Sequence, residues 1–294
     1  MPWYQLNNAK DSRLDELAKQ YNLHPLHIED ARSEEEGVKV DSGLNYTFAV
    51  FKPVSLRPDP DCPGEKMPVF STIDVFVGKD FFITIVDSEC TATNEALDRA
   101  RRDGDDEHPA RLLYLIVDTI VDRYFPAIDY FDERIDALED AVFDHPSPEI
   151  LSEVFSIKRE LIDLRRVLVN TRDACLHLQR DPNTPIDQEH QLYIRDTYDH
   201  VVRLLDSVET QRDLLNNTLD IYLSSVSNRT NEVMKVLTVL GTIAIPVLAI
   251  SGIYGMNLKG LPFEESPHGA LYVSLMMFAC TAVLLYILRR MRWF

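Results

Sequence analysis

Hydrophobic and polar positions change rhythm twice along the chain. Up to about residue 109, β-rich runs at Leu44 to Val54, Val69 to Val77 and Phe81 to Val86 are separated by Gly-Lys-Asp and proline-rich turns. Helical periodicity predicts elements at Ser12 to Tyr21 and Ala92 to Arg102. This mixture predicts a small α/β domain over residues 1–109. The proline-rich run from Ser55 to Pro68 reads as a mobile surface loop.

From Ala110 onward Gly is absent until Gly241, and Pro occurs only at Pro126 and in clusters around 146–148 and 182–185 before the final segment. Those clusters delimit three long helices. The first covers about 110–144 with a kink at Pro126, the second about 149–181, and the third starts near Ile186. Pro148 and Pro185 stand where a helix start tolerates them. The third helix meets no Gly or Pro until Gly241 and continues to Gly252, a rod of roughly 95 Å at about 1.5 Å per residue. A helix of that length belongs to a coiled coil, a membrane span or both. Its apolar positions Leu192, Val201, Leu204, Leu205, Val208, Leu214, Leu215 and Leu219 recur at helical spacing, which suits packing against other helices.

The last change of rhythm is into two uncharged runs, Val236 to Ile253 and Ala270 to Leu288, each long enough for a bilayer core of about 30 Å. The expected organisation is therefore a 1–109 cytosolic α/β domain, a 110–235 helical stalk and a first membrane helix at 236–253. A 254–269 outer loop, a second membrane helix at 270–288 and a 289–294 basic tail follow. Lys235 precedes the first span and Arg289, Arg290 and Arg292 follow the second, so both termini are expected in the cytosol. The first ten residues lack a charged head and apolar stretch, so no signal peptide is expected to precede the body.

A hairpin of two helices has no interior, so a conducting reading requires several copies about an axis. The series Asn231, Met234, Thr238, Gly241, Ile245, Leu248, Gly252 repeats at alternating steps of three and four and mixes polar, small and apolar residues. Periodicity alone does not separate a pore stripe from any other helix face. Pro246 beside it suits a bend in the span.

Composition narrows the partners. A formal net charge of −18 argues against nucleic acid, whose phosphates call for Lys and Arg clusters. The acidic surface serves solubility or cation attraction, and composition does not choose between them. Cys62, Cys90, Cys175 and Cys280 are scattered, without the spacing of a zinc knuckle or a disulfide framework. His24 and His27 flank a Pro but read as ordinary surface or core residues; His177, His190 and His200 lack HxxxH spacing. No nucleophile and base can be paired, and no GxxxxGK[ST] loop is present, so an enzyme is not expected.

Directly after the first span comes Gly252-Ile253-Tyr254-Gly255-Met256-Asn257, followed by a second span and the tail RRMRWF. In this the chain resembles the CorA family of magnesium transporters. The resemblance extends through YLSSVSNRTNEVMKVLT to RDTYDH around Asp196 and LIVDTIVDRYF around Asp118, and weakens in the first hundred residues, where HPLHIED is the best match. It implies an α+β fold: an N-terminal α/β cytosolic domain, a long helical stalk continuous with the first transmembrane helix, and two C-terminal transmembrane helices in a homopentameric funnel. It further implies a multi-pass protein of a prokaryotic inner membrane that carries Mg2+, with Co2+ or Zn2+ as further candidate ions. Partners beyond its own copies and the lipid bilayer are not implied.

The resemblance assigns Gly255, Met256 and Asn257 to a selectivity filter. Asn231, Met234, Leu237, Ile245, Leu248 and Gly252 fall along the pore, with Met234 and Ile245 as constrictions that gate by dewetting. Leu248 departs from the pattern, since a Thr is familiar there. Physically, magnesium sheds water reluctantly, and a ring of Asn257 amide oxygens can accept hydrogen bonds from the hydrated ion. Gly252 and Gly255 would allow a close turn, with Tyr254 and Met256 packed behind the mouth. Glu264 and Glu265 in the outer loop would attract cations.

Regulatory acids carried over by position are Glu29 and Asp30 in HIED, Asp118 and Asp196. Bound magnesium would bridge protomers there and hold the pore shut, and its loss would let carboxylates repel. The acid-rich stretch Asp129 to Asp144 reads either as a solvated helix face or as a partner for the basic tail. Two alternatives stay open: a zinc transporter of the same superfamily, proton-coupled or not, and a non-conducting membrane scaffold or sensor.

Overall fold

The computed structural model of the chain describes residues 1–33, 36–60, 66–86, 91–103, 108–144, 146–182, 184, 186–256, 260–263 and 266–290. The chain divides into two compact units, Met1–Leu219 and Asp220–Phe294.

In the first unit, β1 (Trp3–Leu6), β2 (Lys39–Ser42), β3 (Tyr46–Phe51), β6 (Ile73–Gly78) and β7 (Phe82–Val86) form a sheet ordered β1-β7-β6-β3-β2. β1 runs parallel to β7 and the other pairs are antiparallel. Side chains alternate across the sheet, as the two-residue period of a strand requires. Tyr46, Phe48, Val50, Phe76, Ile83 and Ile85 pack on one face against α1 (Arg13–Gln20) and α2 (Pro25–Ala31). Ala49, Phe51, Val75, Val77, Phe82 and Val86 pack on the other, against α3 (Thr91–Asp103) and α4 (Pro109–Asp122). The sheet is thus covered on both faces, and its central strands β3, β6 and β7 are buried throughout.

The helices α5 (Tyr124–Asp144), α6 (Pro148–Arg180) and the first part of α7 (Gln188–Gly255) extend the second core. α7 contributes Ile194, Val201, Leu204, Val208 and Leu215 at helical spacing. Leu192, by contrast, is 70% exposed, so the apolar positions do not all share one buried stripe. Within this packing Tyr124 is fully buried and donates to the Lys52 carbonyl at 2.8 Å. From α5, Asp132 and Glu139 accept from Gln211 and Thr218 of α7, so part of the acid-rich stretch holds helices together.

Three expectations need correction. The single helix over 110–144 is two: α4 ends at Asp122, and Arg123 closes it with bonds to the Ile120 and Val121 carbonyls. Pro126 has no N–H for the Asp122 carbonyl, so the helix breaks before the proline instead of bending at it. The proline-rich loop at 55–68 contains a ribbon, β4 (Val54–Pro58) paired antiparallel with β5 (Lys66–Phe70). Prolines fit there because a two-stranded ribbon leaves outward N–H groups without a ladder role. Finally, α2 was not foreseen, although Pro25 at its first position is a start signal shared with α4 and α6. Pro185, Cys62 and Cys90 lie outside the described residues.

The second unit holds the remainder of α7, which runs through Pro246 to Gly255, and α8 (Gly269–Arg290). Both helices are long and apolar enough to cross a membrane, and almost none of either apolar window is buried. Their hydroxyls are spent internally: Thr238, Thr242, Ser274 and Thr281 donate to carbonyls four residues back. That removes the cost of free polar groups in an apolar surrounding.

Asp74 breaks the apolar rule of the sheet. It sits on β6 with 6% exposure, its Oδ1 has no hydrogen-bond partner, and burial pushes its pKa up to about 8. A carboxyl raised on folding stabilises the fold when protonated, and that stability is lost as pH rises from about 4 through about 8. Asp74→Asn, which cannot ionise, is expected to match the wild type below pH 4 and to gain on it steadily as pH rises through 8. At pH 8.5 it should exceed the wild type by on the order of 5 kcal/mol, measured by unfolding of the detergent-solubilised chain. A difference independent of pH would contradict this.

Candidate cation path and regulatory acids

In the second unit the two flanks of α7 differ. Thr238, Val239, Gly241, Thr242, Ile250 and Tyr254 are half-buried and Pro246 is buried, whereas Met234, Leu237, Ile245 and Leu248 are 55–68% exposed, as are Val233, Val236 and Leu240 beside them at 59–62%. At about 100° per residue the centres of these two sets lie roughly 140° apart. Gly252 and Gly241 fall near the centre of the exposed set, Gly241 half-buried there, while Thr238 and Asn231 stand about 60° and 80° to one side. The stripe expected along a pore is therefore open in the single chain. Such an apolar surface, facing nothing among the described residues, is suited to lipid or to other copies.

Around the motif, α7 continues through Gly252, whose Cβ position has open space, and ends at Gly255. The expected turn at Gly252 does not form, because nothing there interrupts the helical hydrogen bonds. Tyr254 donates to the Pro262 carbonyl at 2.8 Å, fastening the loop, and Met256 is 58% exposed instead of packed. Gly269 meets the Phe263 carbonyl so closely that a Cβ would lie 2.4 Å away, and Phe263 takes a positive φ of 67°. Asn257, Glu264, Glu265 and the tail residues Arg292, Trp293 and Phe294 lie outside the described residues.

In the first unit the candidate regulatory acids fall into two settings. Glu29 and Asp30 belong to α2 on one face of the sheet. Glu29 is exposed, and Asp30 is paired with Lys39 at 2.8 Å. Lys39 also lies 3.2 Å from Glu36 and 3.8 Å from Asp41. Burial works against its charge, but the hydrogen bonds it donates to Asp30 and Glu36 outweigh it and hold the ammonium above its ordinary pKa.

Asp118 lies on α4, across the sheet, 5% exposed. Its Oδ2 is 2.9 Å from the Arg99 guanidinium, which also reaches Asp122 at 3.4 Å and Thr119 at 3.1 Å. Thr197, next to Asp196 on α7, donates to Asp118 Oδ1 at 3.4 Å. Asp118, Asp122 and His200 each place a ligand atom within 4.8 Å of the others. His200 in turn stands 3.6 Å from Asp196, and its Nδ1 is buried without a partner. Burial, with the neighbouring Asp118 charge, raises the Asp122 carboxyl above its usual range. Two carboxylates and an imidazole fit a divalent ion, and the imidazole suits cobalt or zinc better than magnesium. Arg99 supplies positive charge at the same place.

Asp118 and Asp196 are thus brought into one neighbourhood through Thr197 and His200, while Glu29 and Asp30 are held apart from them by the sheet. Sequence reasoning missed Lys39, Arg99 and Asp122 and set His200 aside for lack of HxxxH spacing. The available signal was Asp196 and His200 four apart on one helix, which places them on the same face. His24 and His27 have structural partners: His24 caps α2 through Nδ1, and His27 stacks on Phe48 with Nδ1 2.8 Å from Tyr46 Oη. Cys175 is buried, with its thiol pushed up to about 12 by desolvation.

A sheet body covered on both faces and two helices long and apolar enough to cross a membrane, the first of them continuous with the body's long helix, are the build of a membrane protein. The chain belongs to the CorA family: the model for "CorA-like Mg2+ transporter protein" matches residues 1–290. The cobalt/magnesium transport protein CorA of Thermotoga maritima is 33% identical over 277 residues, covering 93% of this chain and 77% of that protein. The solved CorA magnesium transporter of Methanocaldococcus jannaschii shares the fold with a TM-score of 0.82 at 24% identity, covering 99% of this chain and 91% of its own. The ZntB cytoplasmic domain of Vibrio parahaemolyticus matches 77% of this chain and 88% of its own with a TM-score of 0.62 at 12% identity. The fold of the body is therefore shared with both of these structures.

Removing Arg99 leaves the buried Asp118 without its counter-charge. Arg99→Met is expected to cost about 3 kcal/mol of stability, with millimolar cobalt restoring part of the loss, read from melting temperatures with and without the metal. Unchanged stability would show that the pair is not what keeps Asp118 in place.

Proposed function

We propose that the chain is one protomer of a channel for magnesium and cobalt, and that five copies surround a water-filled path lined by the exposed flank of α7. The observation that carries this reading is the open stripe Asn231, Met234, Leu237, Ile245, Leu248 and Gly252, opposite the covered flank. Membership of the CorA family and the Thermotoga maritima relative's name support magnesium and cobalt as the ions. Asn257 amides from several copies would accept hydrogen bonds from a hydrated cation at the mouth, with Gly255 and Met256 completing the filter. Glu264 and Glu265 would raise the local cation concentration outside. With the body in the cytosol of a prokaryote, an inside-negative potential favours a double charge by roughly 4.6 kcal/mol per 100 mV, so influx needs no ATP.

Gating follows from the acids. Glu29 and Asp30 lie across the sheet from Asp118 and Asp196, so one protomer cannot offer both sets to the same ion. Neighbouring protomers would do so, and a bound divalent ion would then staple the bodies and hold the pore shut. Met234 and Ile245 would form apolar constrictions that lose water when the ring tightens.

A zinc-conducting reading has one observation in its favour, the His200 imidazole beside Asp118 and Asp122. Uptake into liposomes separates the two. Magnesium and cobalt flux without a proton gradient is expected, with Asn257→Ala reducing it at least tenfold. Zinc flux that depends on a proton gradient would favour the second reading, and flux undiminished by Asn257→Ala would contradict the filter assignment.

A further inference from the structure

Among the acids assigned to regulation, Asp30 is already engaged. The Lys39 ammonium lies 2.8 Å from Asp30 Oδ2, 3.2 Å from Glu36 and 3.8 Å from Asp41, and 5.9 Å over the Phe48 ring. Three carboxylates and an aromatic face make a setting for a cation, and the chain fills it with its own. The arrangement is positioned by structure on both sides. Asp30 is fixed by α2, whose Ile28 and Ala31 are buried, and Lys39 opens β2, paired with Val50 of β3. The carboxylate and the ammonium therefore meet without a partner copy. Lys39 is only 28% exposed, which limits the solvent screening of its charge.

We propose that Lys39 is a tethered cation that competes with the divalent ion for Asp30 and so sets the concentration at which the regulatory site fills. This rests on the reading of Asp30 as a regulatory ligand. An incoming ion with two charges must either displace the ammonium from Asp30 or bind beside it against its repulsion. In both cases the carboxylate gives up part of an existing interaction, and affinity falls. Glu36 and Asp41 keep an alternative place for the ammonium once Asp30 is taken, so displacement leaves it still paired. Lys39 is on this account a positioning residue that tunes a sensor towards higher ion concentrations.

The test is protection of the full detergent-solubilised chain from subtilisin as magnesium is raised, in the wild type and four variants. Lys39→Gln and Lys39→Met, either of which keeps most of the length without the charge, are expected to lower the magnesium midpoint about fivefold. Lys52→Gln removes the same charge nearby, where its field also acts on Asp74, and is expected to move the midpoint less than twofold. Asp30→Asn is expected to raise the midpoint strongly or abolish protection. Unchanged protection in Asp30→Asn would overturn the regulatory reading and this inference with it. A raised midpoint in Asp30→Asn with none lowered in either Lys39 variant would overturn the competition alone. Equal shifts in Lys39→Gln and Lys52→Gln would also overturn it, because a general field would then account for both.

Discussion

A pair of apolar helices has no inside, and the rest of the structure follows from that limit. Backbone groups in lipid must be satisfied within each helix, and the i−4 bonds of Thr238, Thr242, Ser274 and Thr281 extend the rule to side chains. What remains for a path is the surface of α7 that the chain leaves uncovered. That surface carries Met234, Leu237, Ile245 and Leu248 with Asn231 and Gly252 at its ends, a mixture that neither lipid contact nor a soluble core requires. On the proposed function, a closed ring of copies would turn the same stripe inward and give it a purpose.

On the proposed function, the body adds control through charges placed on both faces of the sheet. Asp30 and Asp118 each meet a cation of the chain itself, Lys39 and Arg99. Carboxylates that must stay apart from one another until an ion arrives need such counter-charges, or the fold would bear their desolvation unaided. On the proposed function, then, the same residues that stabilise the body also set how much divalent ion is needed to close it. The net charge of −18 is compatible with this, since a cation-rich atmosphere accompanies an acidic surface.

How much of this was legible in the sequence depends on the range of the interactions. Uncharged runs at 236–253 and 270–288 declare themselves without context, and α8 and the end of α7 are where they were expected. The apolar strands β3, β6 and β7 were likewise readable from β-branched and aromatic runs. Shorter elements were not: α2 has seven residues, and the β4–β5 ribbon sits among prolines that ordinarily argue against strands. The break at Arg123 shows a proline acting on the carbonyl four positions earlier. Lys39 and Arg99 were invisible because nothing local links Arg99 to Asp118, nineteen positions on, or marks Lys39 as a partner for α2. The motif ending in Asn257 was legible as a pattern, and its place lies outside the described residues.

The number of chains in the purified complex tests the central claim most directly, because an encircled path exists only in an assembly. Native mass spectrometry of the detergent-solubilised protein should give one dominant species at five times the mass of the chain. A monomer that persists at high protein concentration would contradict the account, since its exposed stripe would then face only lipid and enclose nothing.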